Sequence, residues 1–436
     1  MKKQPLLILL FTGCLLLAAQ IIKAQDTLSV KDAVSIALKK NFDILVAGND
    51  AEAARINNSA GNAGMLPVIN ATGTGSWQNN DEYQKLSGGT ENKYPSLTTN
   101  ALTAGVQLAW TLFDGGKMFV TKNKLNQIEA LGKIQFMNQV LQTQYDVISA
   151  YYDVVKEEQQ LKSDNEIISY DRERVKIAEV GYNAGSMMKT DLLQAKIDLN
   201  VAMENAINQQ YVIDAAMKAL NTLLGENPDK IFIISDTIPL GYKPDRAELM
   251  NKLSSSNTEI LSSQKQIDIA RLALTENKRA YLPVLNLNAG YSYSNTDNSA
   301  GSVLRSEVTG PQVKGTLQIP IFNAGENKRK VALSKLDLQT AEYNMQNISL
   351  QVNAGFENTI TNFENQQKLL DIETENNNEA RENLEISLQR LRLGQTTSLE
   401  VHQAQEYFVQ STTRLINIRY NLKLAETRLK QMVATL

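Results

Sequence analysis

Two stretches of the chain carry an apolar residue at every seventh position, and each stretch begins shortly after a glycine. The first series is Leu192, Leu199, Ala206, Ile213 and Leu220, and the second is Val401, Phe408, Leu415, Leu422 and Leu429. A sustained seven-residue spacing predicts long helices that pack against neighbours as coiled coils. The other faces are rich in Asn, Gln, Lys and Glu, which suits either a helical wall around an aqueous lumen or an ordinary solvated coiled coil.

Four further segments alternate apolar and polar residues, at about 67–78, 104–113, 284–294 and 312–322. The apolar faces of the last three read Val106, Leu108, Trp110 and Leu112, then Leu285, Leu287, Ala289, Tyr291 and Tyr293, then Val313, Gly315, Leu317, Ile319 and Ile321. Each run is about ten residues, the length that a tilted strand needs to cross an outer membrane. A soluble β-sandwich face would alternate in the same way.

The chain is an internal duplication. Leu66-Pro67-Val68 returns as Leu282-Pro283-Val284, a shift of 216 positions, and Leu112-Phe113-Asp114 returns as Ile321-Phe322-Asn323, a shift of 209. We place the first repeat at 25–224, an equatorial connecting segment with a short strand near 231–234 at 225–245, and the second repeat at 246–436. The predicted helices are about 29–65, 117–181 and 187–224 in the first repeat, and about 246–281, 326–391 and 396–434 in the second.

Four strands cannot close a barrel, and open strand edges are not tolerated in lipid. If the strands span a membrane, the chain must therefore oligomerise, and closure needs about eight strands or more.

The first 24 residues read as a signal peptide, with Lys2 and Lys3 ahead of an apolar run that contains Cys14, the chain's only cysteine. A net charge of -3 gives no electrostatic reason to expect nucleic acid. The single histidine, His402, argues against a multi-histidine metal site, and we expect no cofactor. The sequence has no phosphate-loop, zinc-protease or nucleophile-elbow motif, which argues against an enzyme. The many acidic residues leave a glycosidase-like carboxylate pair open, although no particular pair stands out. If the strands do not cross a membrane, two other protein classes fit the pattern: a soluble periplasmic coiled-coil scaffold or adaptor, and an exported enzyme with a helical stalk.

The order of several short motifs resembles TolC-like outer membrane efflux proteins. Trp110-Thr111-Leu112-Phe113-Asp114 precedes a turn at Gly185 with Thr190-Asp191, and Ile319-Pro320-Ile321-Phe322-Asn323 precedes a turn at Gly394 with Glu400. The resemblance implies a mainly α fold with a β-barrel portion, in which a coiled-coil helical barrel joins four transmembrane strands per subunit. It also implies a homotrimer with a 12-stranded barrel, in contact with lipid of the Gram-negative outer membrane. Such a trimer is a passive exit duct, served by a periplasmic adaptor and an inner-membrane transporter.

The resemblance further implies that the tunnel narrows near the two helical turns. Thr190, Asp191, Glu400 and Gln403 match the constriction positions, although Gln403 stands where the family has a second acidic residue. Thr396 and Leu391 replace the basic and aromatic gating residues of the family, and the turns at Gly185 and Gly394 are the expected adaptor contacts. Alternatively, Asp191 and Glu400 simply stabilise the positive ends of their helices, an effect of about 0.3–1 kcal/mol.

Overall fold

A computed structural model describes residues 27–235 and 237–436. The proposed signal peptide and Cys14 lie outside the described residues. The helices of the described part are α1 (Val30–Lys40), α2 (Phe42–Asn57), α3 (Lys117–Asn183), α4 (Lys189–Leu223), α5 (Arg246–Ser256), α6 (Thr258–Arg279), α7 (Glu326–Arg392) and α8 (Ser398–Met432). Its strands are β1 (Thr27–Leu28), β2 (Val68–Lys85), β3 (Glu91–Asp114), β4 (Ile233–Ile234), β5 (Val284–Asn298) and β6 (Arg305–Gln318).

The first helix of each repeat is broken, which corrects the prediction of single helices over 29–65 and 246–281. Asn41 separates α1 from α2, and Asn257 separates α5 from α6, both in extended backbone conformation. The Asn41 carboxamide oxygen accepts from the backbone N–H groups of Asp43 and Ile44, at 2.9 and 3.2 Å, so it caps α2. Its amide nitrogen donates to the carbonyl of Leu223, the last residue of α4, at 2.8 Å.

Asn257 repeats this arrangement in the second half. Its oxygen accepts from the N–H groups of Glu259 and Ile260, each at 3.1 Å, and its nitrogen donates to the carbonyl of Met432 at 3.0 Å. Met432 is the last residue of α8 and therefore has no helical partner for its carbonyl. One buried side chain in each half thus satisfies the ends of two helices.

The described residues fall into two compact units. The first contains residues 27–49, 135–261 and 349–436, and the second contains 50–134 and 262–348. One apolar core of the first unit lies beside the connecting segment, where β4 pairs in parallel with β1. Tyr151, Leu220 and Phe232 are buried in it, and the Tyr151 hydroxyl donates to the carbonyl of Leu28 at 2.9 Å.

A second core of this unit joins α3, α4, α7 and α8. Its buried residues include Ile168, Leu384, Val401 and Phe408. Val401, Phe408, Leu220 and Leu429 have no exposed surface, which confirms the coiled-coil packing that the heptads predict.

The second unit contains an antiparallel sheet with strand order β2-β3-β5-β6. Its register brings Ile69, Leu108, Ala289 and Val313, one apolar residue from each strand, side by side on one face. Tyr291 likewise lies opposite Val106 on one side and Pro311 on the other. On the opposite face, Asn288 lies between Ala109 and Lys314.

Three details of the predicted strands are wrong. The predictions 67–78 and 104–113 are too short, because β2 continues to Lys85 and β3 begins at Glu91. A register shift between Thr111 and Phe113 makes Leu112 the extra residue of a bulge, so that Phe113 rather than Leu112 pairs with Leu285. The last strand ends at Gln318, and Ile319 and Ile321 lie beyond it. Pro320 explains this end, because it has no N–H to donate to a neighbouring strand.

The hairpin of β2 and β3 extends past the other two strands. β3 has 24 residues and β2 has 18, but β5 pairs with β3 only from Thr99 to Asp114. The extension begins at a second irregularity, between Asn80 and Glu82. There Ser96 has a positive φ of 56°, and its N–H donates to Asp81 at 2.7 Å.

Candidate functional site

The two helical turns of the first unit have the same construction. Gly185 follows α3 with φ +74°, and Gly394 follows α7 with φ +70°. The N–H of Ser186 donates to the carbonyl of Gly181 at 2.8 Å, and that of Gln395 donates to Arg390 at 2.8 Å. Glycine is favoured at this position because a side chain would be strained there. The turns therefore reverse the chain and begin α4 and α8.

Asp191 and Glu400 occupy equivalent places, in the first turn of α4 and of α8. The Asp191 carboxylate accepts from the N–H of Met188 at 3.2 Å. The Glu400 carboxylate accepts from the hydroxyl of Thr396, and its own N–H donates to Thr397 at 3.3 Å. Each carboxylate thus has a local role at a positive helix end. Glu400 is exposed and Asp191 is partly exposed, so both remain accessible to solvent.

The other predicted site residues divide between surface and core. Thr190 and Gln403 are exposed beside Asp191 and Glu400. Leu391 is buried in the core that joins α3, α4, α7 and α8. A groove of about 700 Å³ lies between the turns, lined by Gly181 and Ser186 on one side and by Leu393 and Gly394 on the other.

A buried charged network near the turns was not predicted. Arg174 on α3 is 1% exposed, and its guanidinium donates to Asp171 at 2.9 Å, to Asp198 of α4 at 2.9 Å and to Gln405 of α8 at 3.0 Å. Gln405 in turn donates to Asp171 at 3.1 Å. Three helices are therefore joined through one side chain.

The spacing of this network contains a signal that could have revealed it. Asp171 lies four residues after buried Ile167, and Arg174 lies four residues before buried Ala178. Charged residues at the spacing of a buried helix face are rare unless they are paired.

A cavity of about 140 Å³ adjoins the network, and its lining includes Asp164, Asp198, His402 and Glu406. Burial raises the pKa of the Asp164 carboxyl, and the hydrogen bond from Gln160 partly offsets that rise. The Nδ1 atom of His402 lies 3.4 Å from Asp198 Oδ2 and is buried without a hydrogen-bond partner among the described residues.

Across residues 27–235 and 237–436, none of the helices combines the length and the apolar character of a transmembrane helix. Within the same residues, no three His, Cys, Asp or Glu side chains are grouped so that they could hold a metal ion.

Known proteins resemble this chain over most of its length. It is 24% identical over 326 residues to the outer membrane efflux protein BepC of Brucella suis biovar 1, covering 74% of this chain and 70% of BepC. It is 23% identical over 409 residues to the cation efflux system protein CusC of Escherichia coli K12, covering 92% of this chain and 85% of CusC.

The fold is that of a solved outer membrane channel. The crystal structure of the Campylobacter jejuni CmeC channel superposes with a TM-score of 0.79 at 17% identity, covering 93% of this chain and 85% of CmeC. The family model described as "Outer membrane efflux protein" matches residues 33–226 and 249–435, which include both repeats and both turns. The chain therefore belongs to the outer membrane efflux protein family, a family of Gram-negative outer membrane channels.

Proposed function

We propose that the chain is one of three identical subunits of a passive exit duct, which receives its cargo from an inner-membrane transporter through a periplasmic adaptor. The observation that carries this proposal is the two-faced sheet. Leu108, Ala289 and Val313 are register partners on its apolar face, whereas Gln107, Gly290 and Gln312 are partners on the other. An apolar outer face and a polar inner face are what a membrane barrel around a water-filled lumen requires.

The sheet also has two open edges, because β2 and β6 each pair on one side only within the described residues. Unpaired backbone groups are costly in lipid, so the edges must meet other strands there. Pairing β2 of one copy with β6 of the next closes a ring without a free edge. Three copies give twelve strands, well above the roughly eight that the smallest membrane barrels use.

The surface of α4 in the first unit supports self-association independently of the sheet. α4 buries Leu192, Ile213 and Leu220, but a second apolar stripe on the same helix remains exposed. The exposed members are Leu193, Ile197, Val201, Ile207 and Tyr211. Ile207 and Tyr211 are 70% and 75% exposed, which is unusual for residues one helical turn apart unless another surface covers them. A neighbouring copy of the chain is the occupant that we propose.

In such a trimer, we place Asp191 and Glu400 in the periplasmic constriction, with Thr190 and Gln403 beside them. A narrow aqueous neck lined by rings of like charge favours cations. The turns at Gly185 and Gly394 would then contact the adaptor. The transporter, rather than the duct, selects the cargo. The name of CusC describes cation efflux by CusC and does not identify the cargo of this chain.

The test is electron microscopy and mass measurement of particles extracted by detergent from outer membranes. We expect hollow threefold particles that contain three chains. Replacing Ile207 and Tyr211 together by Lys should leave monomers, whereas Lys at the neighbouring exposed Asn208 should leave the trimer intact. Compact monomeric particles from the unmodified chain would contradict the proposal.

A further inference from the structure

The charged network at Arg174 breaks the internal duplication. At a shift of 209, the positions of Asp171, Arg174 and Asp198 correspond to Ala380, Asn383 and Tyr407, so the second half has no such network. Buried ion pairs often contribute less stability than well-packed apolar residues of the same volume. Packing alone therefore gives no reason for one half to carry the charges.

The charges of the network do not balance. Arg174 supplies one positive charge against the carboxylates of Asp171 and Asp198, which are 1% and 11% exposed. Asp198 uses Oδ1 to accept from Gln194 at 2.8 Å and Oδ2 to accept from Arg174 at 2.9 Å. The second positive charge that would balance the pair is missing when His402 is neutral.

His402 is placed to supply that charge. Its buried Nδ1 faces Asp198 Oδ2 at 3.4 Å without a hydrogen-bond partner among the described residues, although the side chain as a whole is 40% exposed. A proton on Nδ1 would make it a donor to Asp198. Histidine is the side chain that ordinarily gains such a proton between about pH 5 and 8.

We propose that Asp198 and His402 form a pH-responsive latch between α4 and α8, which closes when the imidazole is protonated and loosens when it is neutral. Arg174 is the positioning residue of this latch, because it fixes Asp198 from α3. The latch joins α4 and α8, the helices that follow the turns at Gly185 and Gly394. Protonation of the imidazole at low pH therefore holds the two turns together more strongly.

The surroundings of the imidazole favour this direction. The cavity beside it is lined by Asp164 and Asp171 of α3, Asp198 of α4 and Glu406 of α8, and Arg174 is the cation that contacts this group. A positive charge on the imidazole would therefore lie among carboxyl groups that outnumber the cations, and Asp198 is the partner within 3.4 Å of Nδ1.

Amide hydrogen exchange of the intact, detergent-extracted protein tests the latch without requiring conduction. Exchange is measured at pH 5.5 and 7.5 in peptides over 189–205 and 398–410, and corrected for the intrinsic effect of pH. We expect protection in both peptides to be about two- to fivefold greater at pH 5.5, as for a partly exposed ion pair. His402→Gln should remove the difference, and so should Asp198→Asn.

Glu406→Gln is the matched control, because Glu406 lines the same cavity one turn after His402. The pH difference should survive in this variant. The proposal would be overturned if the pH difference disappeared in Glu406→Gln but persisted in Asp198→Asn. The partner of His402 would then be Glu406 on the same helix, and not Asp198 on α4. An equal pH difference in His402→Gln would overturn it as well.

Discussion

Replacing Asn257 by Ala should destabilise the junction of α5, α6 and α8. The variant loses the cap of α6, which costs about 1 kcal/mol. It also leaves the carbonyl of Met432 without its donor at a site where Asn257 is 6% exposed. An unsatisfied buried carbonyl costs about 1–3 kcal/mol. Together the two effects amount to about 2–4 kcal/mol of local stability.

Amide hydrogen exchange at Glu259 and Ile260 is the direct assay, because these two N–H groups donate to Asn257. Each loss of about 1.4 kcal/mol in the free energy of local opening speeds exchange about tenfold. A loss of about 2–4 kcal/mol should therefore accelerate exchange at both amides about 30- to 700-fold.

Asp245→Ala is the matched control. Asp245 caps α5 through Ala247 and Glu248, is exposed, and makes no hydrogen bond to another helix within the described residues. Loss of this cap alone should accelerate amide exchange at Ala247 and Glu248 about fivefold. If Asn257→Ala accelerated exchange no more than the control does, the bond to Met432 would contribute nothing and our reasoning would be refuted.

Three further predictions concern the turns and the cavity beside Arg174. Neutralising both Asp191 and Glu400, to Asn and Gln, should lower the preference of the channel for cations in planar bilayers, because the proposed ring of charge is lost. Asp164→Asn should raise the thermal unfolding temperature at pH 7. Burial raises the folded pKa of this carboxyl above its unfolded value, so its ionisation costs stability as pH rises through that pKa. Gly394→Ala should destabilise the second turn by about 1 kcal/mol, measured by exchange at Gln395, since φ is +70° there.

Each of these predictions has its own control. If ion selectivity were unchanged in the double variant, Asp191 and Glu400 would not line the constriction. Their role would then be only to stabilise the first turns of α4 and α8. The gain from Asp164→Asn should vanish at a pH below both pKa values, where the aspartate is neutral in both states, and a gain that persisted there would have another cause. Gly394→Asn should cost less than Gly394→Ala, because asparagine tolerates positive φ better than alanine does.

The sequence was most informative where periodicity is sustained. The heptads of α4 and α8 predicted buried positions correctly at Leu220, Val401 and Phe408. The alternation in the third strand segment likewise predicted the apolar face of β5, since Leu285 and Tyr291 share it in the observed register. These patterns are repeated many times, so no single distant contact can override them.

The features that sequence reasoning missed depend on contacts between distant positions. Asparagine inside a helical pattern gives no clear stop signal, and Asn41 ends α1 in a setting where the carbonyl of Leu223 needs a donor. Arginine is ordinarily a surface residue, so the sequence predicts that Arg174 is exposed. Only its partners on α4 and α8 explain its burial. The bulge at Leu112 shifts the strand by one residue, which period-two alternation cannot foresee.

The long hairpin of β2 and β3 has a practical consequence for labelling the cell surface. At about 3.3 Å per residue and a tilt of about 45°, the 24 residues of β3 advance about 56 Å, against a hydrocarbon layer of about 30 Å. In a membrane-inserted barrel, the tip of this hairpin at residues 87–89 would stand clear of the bilayer, and a side chain at Gly88 or Gly89 would meet only the adjoining residues. An epitope inserted there would be readable by antibodies on living bacteria and would leave the lipid-facing strands undisturbed.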